Sequence, residues 1–208
     1  MYSSLPHLVL GFHGCDQSVA DDIISSGLHQ LQKSKNDYDW LGPGIYFWEN
    51  NPVRALEYAK YLRDNPRRNR TAKPIKHPAV IGAIIDLGYC LNLLESRSIE
   101  VVKQGYQNLL RLQKLAGAEF PKNPPDKSSK ELLLRYLDCA VIRTVHYYKK
   151  QQGEKEYDTV RGMFVEGEPL YPNAGFHDKN HIQICVCNPD CIKGYFHPRK
   201  TADEIVTR

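Results

Sequence analysis

Along the chain the spacing of apolar residues switches several times between the short period of a strand and the 3.6-residue period of a helix. Residues 8–12, with Val9 and Leu10 adding apolar bulk, read as a first strand that runs into a turn at His13-Gly14-Cys15. Val19, Ile23 and Ile24 then fall at helical spacing, with Asp16 or Ser18 as the cap and Gly27 where a left-handed residue ends a helix. Residues 28–41 are polar and irregular, which predicts a surface loop able to close over a cleft. Gly44-Ile45-Tyr46-Phe47-Trp48 is rich in β-forming residues and follows Gly42-Pro43, so a short strand entered by a tight turn is expected. Asn51 and Pro52 suit the first positions of a second helix, whose apolar face is Ala55, Tyr58, Ala59 and Leu62 before Pro66 ends it.

Residues 79–87 form a nearly continuous apolar run with Val80, Ile81, Ile84 and Ile85, the pattern of a buried strand central to a sheet. Two long helical patterns, 98–116 and 129–152, flank Gly117 and the prolines at 121, 124 and 125, and together predict a helical hairpin. Strand character returns at 159–165 and again at 181–187, after a loop rich in Gly, Pro and Asn. This order predicts a single α+β domain over residues 1–208 with a helical insertion at 98–152.

Composition narrows the class. Of the 208 residues, 41% are hydrophobic and 25% charged, which is ordinary for a globular chain and argues against disorder. No apolar run approaches the roughly 20 residues of a membrane-spanning helix, and residues 1–10 lack the pattern of a secretory signal, so a cytoplasmic protein with no membrane association is expected. A net charge of +4 and a pI near 8.6 lean towards a nucleic-acid partner while falling below the usual footprint, a pI above about 9. The six cysteines are too few for a disulfide scaffold, and free thiols are expected.

The residues with chemistry lie beside glycines. His13 precedes Gly14, and Tyr46 follows Gly44, so both sit next to backbone that a ligand can approach closely. Cys185, Cys187 and Cys191 near His181 raise a zinc reading, but the spacing C-x-C-x3-C is not a standard zinc pattern and alternate strand positions suit small buried thiols, so no metal is expected. The basic stretches Arg67-Arg68-Asn69-Arg70 and Lys149-Lys150 are candidates for phosphate contact, against the commoner reading of solvated charge at helix ends.

His-Gly at the end of the first strand, Gly-x-Gly-Ile-Tyr-Phe, and then Tyr58 within Arg54-Ala55-Leu56-Glu57-Tyr58-Ala59 resemble the NAD-binding half of ADP-ribosyltransferases of the diphtheria-toxin and poly(ADP-ribose) polymerase type. The late strand His181-Ile182-Gln183-Ile184-Cys185-Val186-Cys187 with Asn188-Pro189 resembles the family's third block, and Gln183 falls where the catalytic glutamate is expected. This chain thus reads His-Tyr-Gln where the best-known members read His-Tyr-Glu.

The resemblance implies a fold with a split pair of antiparallel sheets flanked by helices, and a cleft binding NAD+ as substrate. It implies that His13 bonds a ribose hydroxyl, that Gly14 offers its backbone to the nicotinamide amide, and that Tyr46 and Tyr58 hold the cationic nicotinamide ring, each cation–π contact worth about 0.5–2 kcal/mol. Gln183, His13 and Tyr46 are the catalytic set. Cleaving the nicotinamide–ribose bond builds positive charge on the sugar. An amide orients the ribose but supplies no charge, so Glu166, Glu168 and Asp178 become candidate bases for the acceptor. Transfer of one ADP-ribose to a protein or nucleic acid is expected, as by a bacterial toxin or effector, which would need an antitoxin or chaperone partner in its own cell. Two alternatives stay open: an NAD+ glycohydrolase, and a silent module binding NAD or ADP-ribose.

Overall fold

The computed structural model describes residues 8–68, 74–125 and 134–199. These contain β1 (Leu8–Asp16), α1 (Gln17–Ser26), β2 (Ile45–Glu49), α2 (Pro52–Asp64), β3 (Pro78–Asp86), β4 (Cys90–Asn92), α3 (Ser96–Ala116), α4 (Tyr136–Gln151), β5 (Thr159–Phe164), β6 (His181–Val186) and β7 (Ile192–Phe196). The mixed α and β content agrees with the α+β expectation. The strands follow one order, β4-β5-β6-β2-β1-β3-β7, in place of the expected pair of separate sheets, because β2 has a neighbour on each edge. By contacts the chain divides into two compact units, Met1–Leu31 with Trp48–Asp86 and Ile192–Arg208, and Gln32–Phe47 with Leu87–Cys191.

In the first unit β1 pairs antiparallel with β3 along its whole length, from Leu8 opposite Asp86 to Asp16 opposite Pro78. His13, Gly14 and Cys15 therefore lie in the strand and not in a turn: the apolar run of β3 supplies them with partners at Ile81, Val80 and Ala79. α2 packs on β1 at Gly14, where a Cβ would overlap the Ala55 carbonyl. Phe12, Trp48 and Ala55 form the buried cluster beside this contact, with Val80 and Phe196 against it. α1 begins at the Asp16 cap and ends at Gly27, whose φ of 62° is left-handed, both as the sequence predicts.

In the second unit β4 and β5 are parallel, with Cys90 opposite Thr159 and Asn92 opposite Arg161, and β5 pairs antiparallel with β6. Parallel neighbours need a crossover, and α3 and α4 provide it. The helices expected as an insertion are thus the connection between adjacent strands. They also build the core, since Ile142 and Val145 of α4 are buried with Leu41, Leu91, Val160 and Cys185, and Val101 and Val102 of α3 pack on them. α4 starts at Tyr136; residues 129–133 of its expected range lie outside the described residues. The short strands β4 and β7 had no expectation from the sequence.

Candidate functional site

The residues singled out by the sequence divide between the two units. His13, Gly14 and Tyr58 belong to the first, and Tyr46, Gln183 and the three acids to the second.

In the first unit His13 is half-buried on β1. The space a Gly14 side chain would take is filled by Ala55, so this glycine has a packing reason to be there, and only its backbone remains for a ligand. Tyr58 projects from α2 with 42% of its surface exposed. Its ring lies 5.2 Å from that of Trp48, tilted by 49°, and 6.3 Å from that of Tyr61, at 27°. Trp48, Tyr58 and Tyr61 make a partly exposed aromatic ledge, of which Tyr58 alone was expected from the sequence. Arg54 of the same helix pairs with Glu57.

In the second unit Tyr46 fixes the turn that leads into its own strand. Its hydroxyl donates to the Gly42 carbonyl at 2.8 Å and accepts the Leu41 N–H at 3.0 Å. Burial pushes its pKa well above the usual tyrosine value, so the hydroxyl stays protonated. Its ring packs on the Leu41 and Leu91 cluster. Gly44 has a local reason too: a Cβ there would overlap the Cys185 thiol of β6.

Gln183 stands at the centre of a polar and aromatic group. Its Oε1 accepts from the Trp40 indole N–H at 2.9 Å, and its Nε2 lies 3.1 Å from Nε2 of His181. Nδ1 of His181 is 2.6 Å from the Lys179 carbonyl, which can only accept. The histidine proton therefore sits on Nδ1, and Nε2 accepts from the Gln183 amide. His181 stacks on Phe164 at 5.3 Å and 14°, and Trp40 meets Phe164 edge-on at 5.1 Å. The Arg135 guanidinium lies 4.9 Å over the Trp40 ring and 4.4 Å over that of Phe164. Burial lowers the Arg135 pKa, while Asp138, 3.6 Å away, and Glu166 act in the opposite direction.

Trp40, Arg135 and Phe164 escaped the sequence reading, and His181 entered it only beside the cysteines and within the late strand, not as a partner of Gln183. For His181 a signal existed, since it lies two residues from Gln183 on one face of a strand. Trp40, far away in the loop 28–41, carried none. Beside this group a hollow of about 330 Å³ is lined by Trp40, Lys103, Tyr106, Arg135, Asp138 and Ile142 among others.

The three candidate acids differ in their surroundings. Glu166 is half-buried and interacts with Arg135. Glu168 and Asp178 are exposed and tied to each other: the Asp178 carboxylate accepts the Glu168 N–H at 2.9 Å across the turn at Gly167, whose φ is +88°. Lys149 of the second basic stretch pairs with Glu154 at 2.8 Å and lies over the rings of Tyr89 and Tyr157. Of the first stretch, residues 69–70 lie outside the described residues. Among the described residues no group of three or more His, Cys, Asp or Glu side chains could hold a metal ion, and no helix is long and apolar enough to cross a membrane.

No family model matches the chain, and no solved structure matches it. It is similar to an uncharacterized protein of Methanocaldococcus jannaschii, 27% identical over 224 residues that span 94% of this chain and 90% of the relative.

Proposed function

We propose that the protein is a mono-ADP-ribosyltransferase, which cleaves NAD+ and transfers one ADP-ribose to a macromolecular acceptor, protein or nucleic acid. The observation that carries this reading is the rigid mounting of Gln183. One lone pair of its Oε1 is taken by Trp40 and one N–H of its Nε2 by His181, which leaves a second lone pair and a second N–H in fixed directions. An amide held in this way is suited to orienting a ribose through its hydroxyls, because no side-chain freedom is lost when the sugar binds. The order of the sequence blocks also supports it: His13-Gly14 lies on β1, Tyr46 on β2, Tyr58 on α2 and Gln183 on β6.

Within this reading His13 bonds a ribose hydroxyl and Gly14 contributes backbone alone. Tyr58 offers an exposed ring to the nicotinamide, and Tyr46 contributes ring surface, its hydroxyl being occupied by the turn. Loss of a carboxylate at position 183 removes one stabiliser of the oxocarbenium-like transition state, a cost of about 2.7–4 kcal/mol for a well-placed group. Glu166 is assigned the acceptor-side base in preference to Glu168 and Asp178, because it is half-buried near the Gln183 group through Arg135, whereas those two are exposed and tied into their own turn. An amide at 183 cannot act as a base towards a sugar hydroxyl, so transfer stops at one unit.

The same observation favours a second reading, a module that binds NAD or ADP-ribose without turnover, since both ends of Gln183 already have protein partners and no carboxylate stands there. Incubation with labelled NAD+ and both protein and nucleic-acid acceptors separates the two. Label on a macromolecule is the expected result; intact bound NAD+ supports the module, and free ADP-ribose alone supports hydrolysis by water.

A further inference from the structure

The hydrogen bonds at Gln183 form one chain whose direction is fixed at both ends. At one end the Lys179 carbonyl, which can only accept, lies 2.6 Å from Nδ1 of His181. At the other the Trp40 indole N–H, which can only donate, lies 2.9 Å from Oε1 of Gln183. Between them Nε2 of Gln183 stands 3.1 Å from Nε2 of His181. One pattern satisfies all three contacts: Nδ1–H donates to Lys179, the neutral Nε2 accepts from the Gln183 amide, and the amide oxygen accepts from Trp40. Turning the amide over would set its N–H groups against the Trp40 N–H, donor to donor. His181 is itself held in place, since its ring is buried and stacks on Phe164, its partner across the β5–β6 pair.

We propose that His181 is a positioning residue for Gln183, one that orients the amide only while its own ring is neutral. What Gln183 does for the sugar rests on the transferase reading, whereas its orientation depends on these four groups alone. A proton on Nε2 of His181 turns that atom from an acceptor into a donor. It then faces the amide N–H at 3.1 Å, again donor to donor. If the amide turns to offer Oε1 to the imidazolium, Trp40 loses its acceptor; if the amide stays, His181 loses its partner. In both cases the mounting of Gln183 on two sides is lost.

The charged groups around the ring act in both directions. The Arg135 guanidinium lies 4.4 Å over the Phe164 ring on which His181 stacks, and it opposes a second positive charge there. Asp138, 3.6 Å from Arg135, and Glu166 offset that guanidinium. Lys179, next to β6, meets His181 through its backbone carbonyl and is itself exposed, as is Asp178.

The test follows side-chain signals of the isotope-labelled full chain by NMR from about pH 8 to about pH 5, the range in which histidines change charge. The Trp40 indole N–H and the Gln183 amide signals are expected to move with the same midpoint as the His181 ring protons. His181→Gln supplies an oxygen acceptor that does not titrate and leaves Asp138 and Glu166 in place, so in that variant both signals are expected to stay constant. Over the same range, transfer from saturating NAD+ is expected to fall about tenfold in the parent and far less in His181→Gln. Ring protons that titrate while both signals stay fixed would overturn the assignment, as would a ring that stays neutral throughout or signals that move equally in the variant. Should His181→Gln fail to fold, the parent titration decides by itself, since it needs no substitution. Absence of transfer at every pH, with the two signals moving as expected, would contradict the transferase reading and leave the positioning of Gln183 by His181 standing.

Discussion

At position 16 one carboxylate serves three backbone donors: it caps α1 through the Ser18 N–H at 3.1 Å, and its other oxygen accepts from Lys76 at 2.7 Å and His77 at 2.8 Å. These bonds, the one from His77 foremost, hold its pKa well below the usual carboxylate range despite the opposing effect of burial. Because the folded value lies below the unfolded one, the stabilisation is complete above about pH 4 and is lost as pH falls towards the folded value. Asp16→Ala is therefore expected to cost about 3 kcal/mol at pH 7 and progressively less in acid, read from urea denaturation at several pH values. A variant as stable as the parent at pH 7 would show that the three bonds contribute little. The cap was legible in the sequence as Asp16 before a helical pattern, but its bonds to Lys76 and His77 were not, because they depend on β3 returning alongside β1. Gln183 is a parallel case: its position was read from the strand pattern, whereas its partner Trp40 lies in a distant loop that has no periodicity to place it.

At the scale of elements, most helices and the longer strands could be read from apolar spacing, and the differences have physical reasons. β4 has three residues, too short for alternation to show, and β7, Ile192–Phe196, has Lys193 and Gly194 where an apolar pattern would need support. The helices α3 and α4 were found, yet their relation to the sheet was not, since a pattern along one chain does not reveal that β4 and β5 run parallel and need a crossover. That relation has a measurable consequence. Ile142 is 2% exposed in the core of its unit, and its side chain lies where a Gly42 Cβ would be, 2.8 Å from that position. Ile142→Ala is expected to destabilise the protein by about 2–5 kcal/mol in chemical denaturation, the usual cost of emptying a core site. A peripheral insertion would give a loss below about 0.5 kcal/mol, as at a surface position.

At the scale of the whole molecule, each compact unit is assembled from segments distant in sequence, and β2 contributes Ile45–Phe47 to one and Trp48–Glu49 to the other. Of the residues proposed to contact NAD+, His13 and Tyr58 belong to the first unit and Tyr46 and Gln183 to the second. The sequence blocks were grouped as a set because their order resembles a known one. What each residue already does for the fold was not: Gly14 makes room for Ala55 and the Tyr46 hydroxyl holds the turn at Gly42. The most direct measurement is ADP-ribose transfer from saturating labelled NAD+ by the parent, Gln183→Ala and Gln183→Glu, each first shown to be folded. Gln183→Ala is expected to lose transfer by about 100-fold or more, the size of effect seen when one stabilising contact to a transition state is removed, while Gln183→Glu keeps NAD+ cleavage and shifts it towards hydrolysis. Equal transfer by the parent and Gln183→Ala would contradict the account.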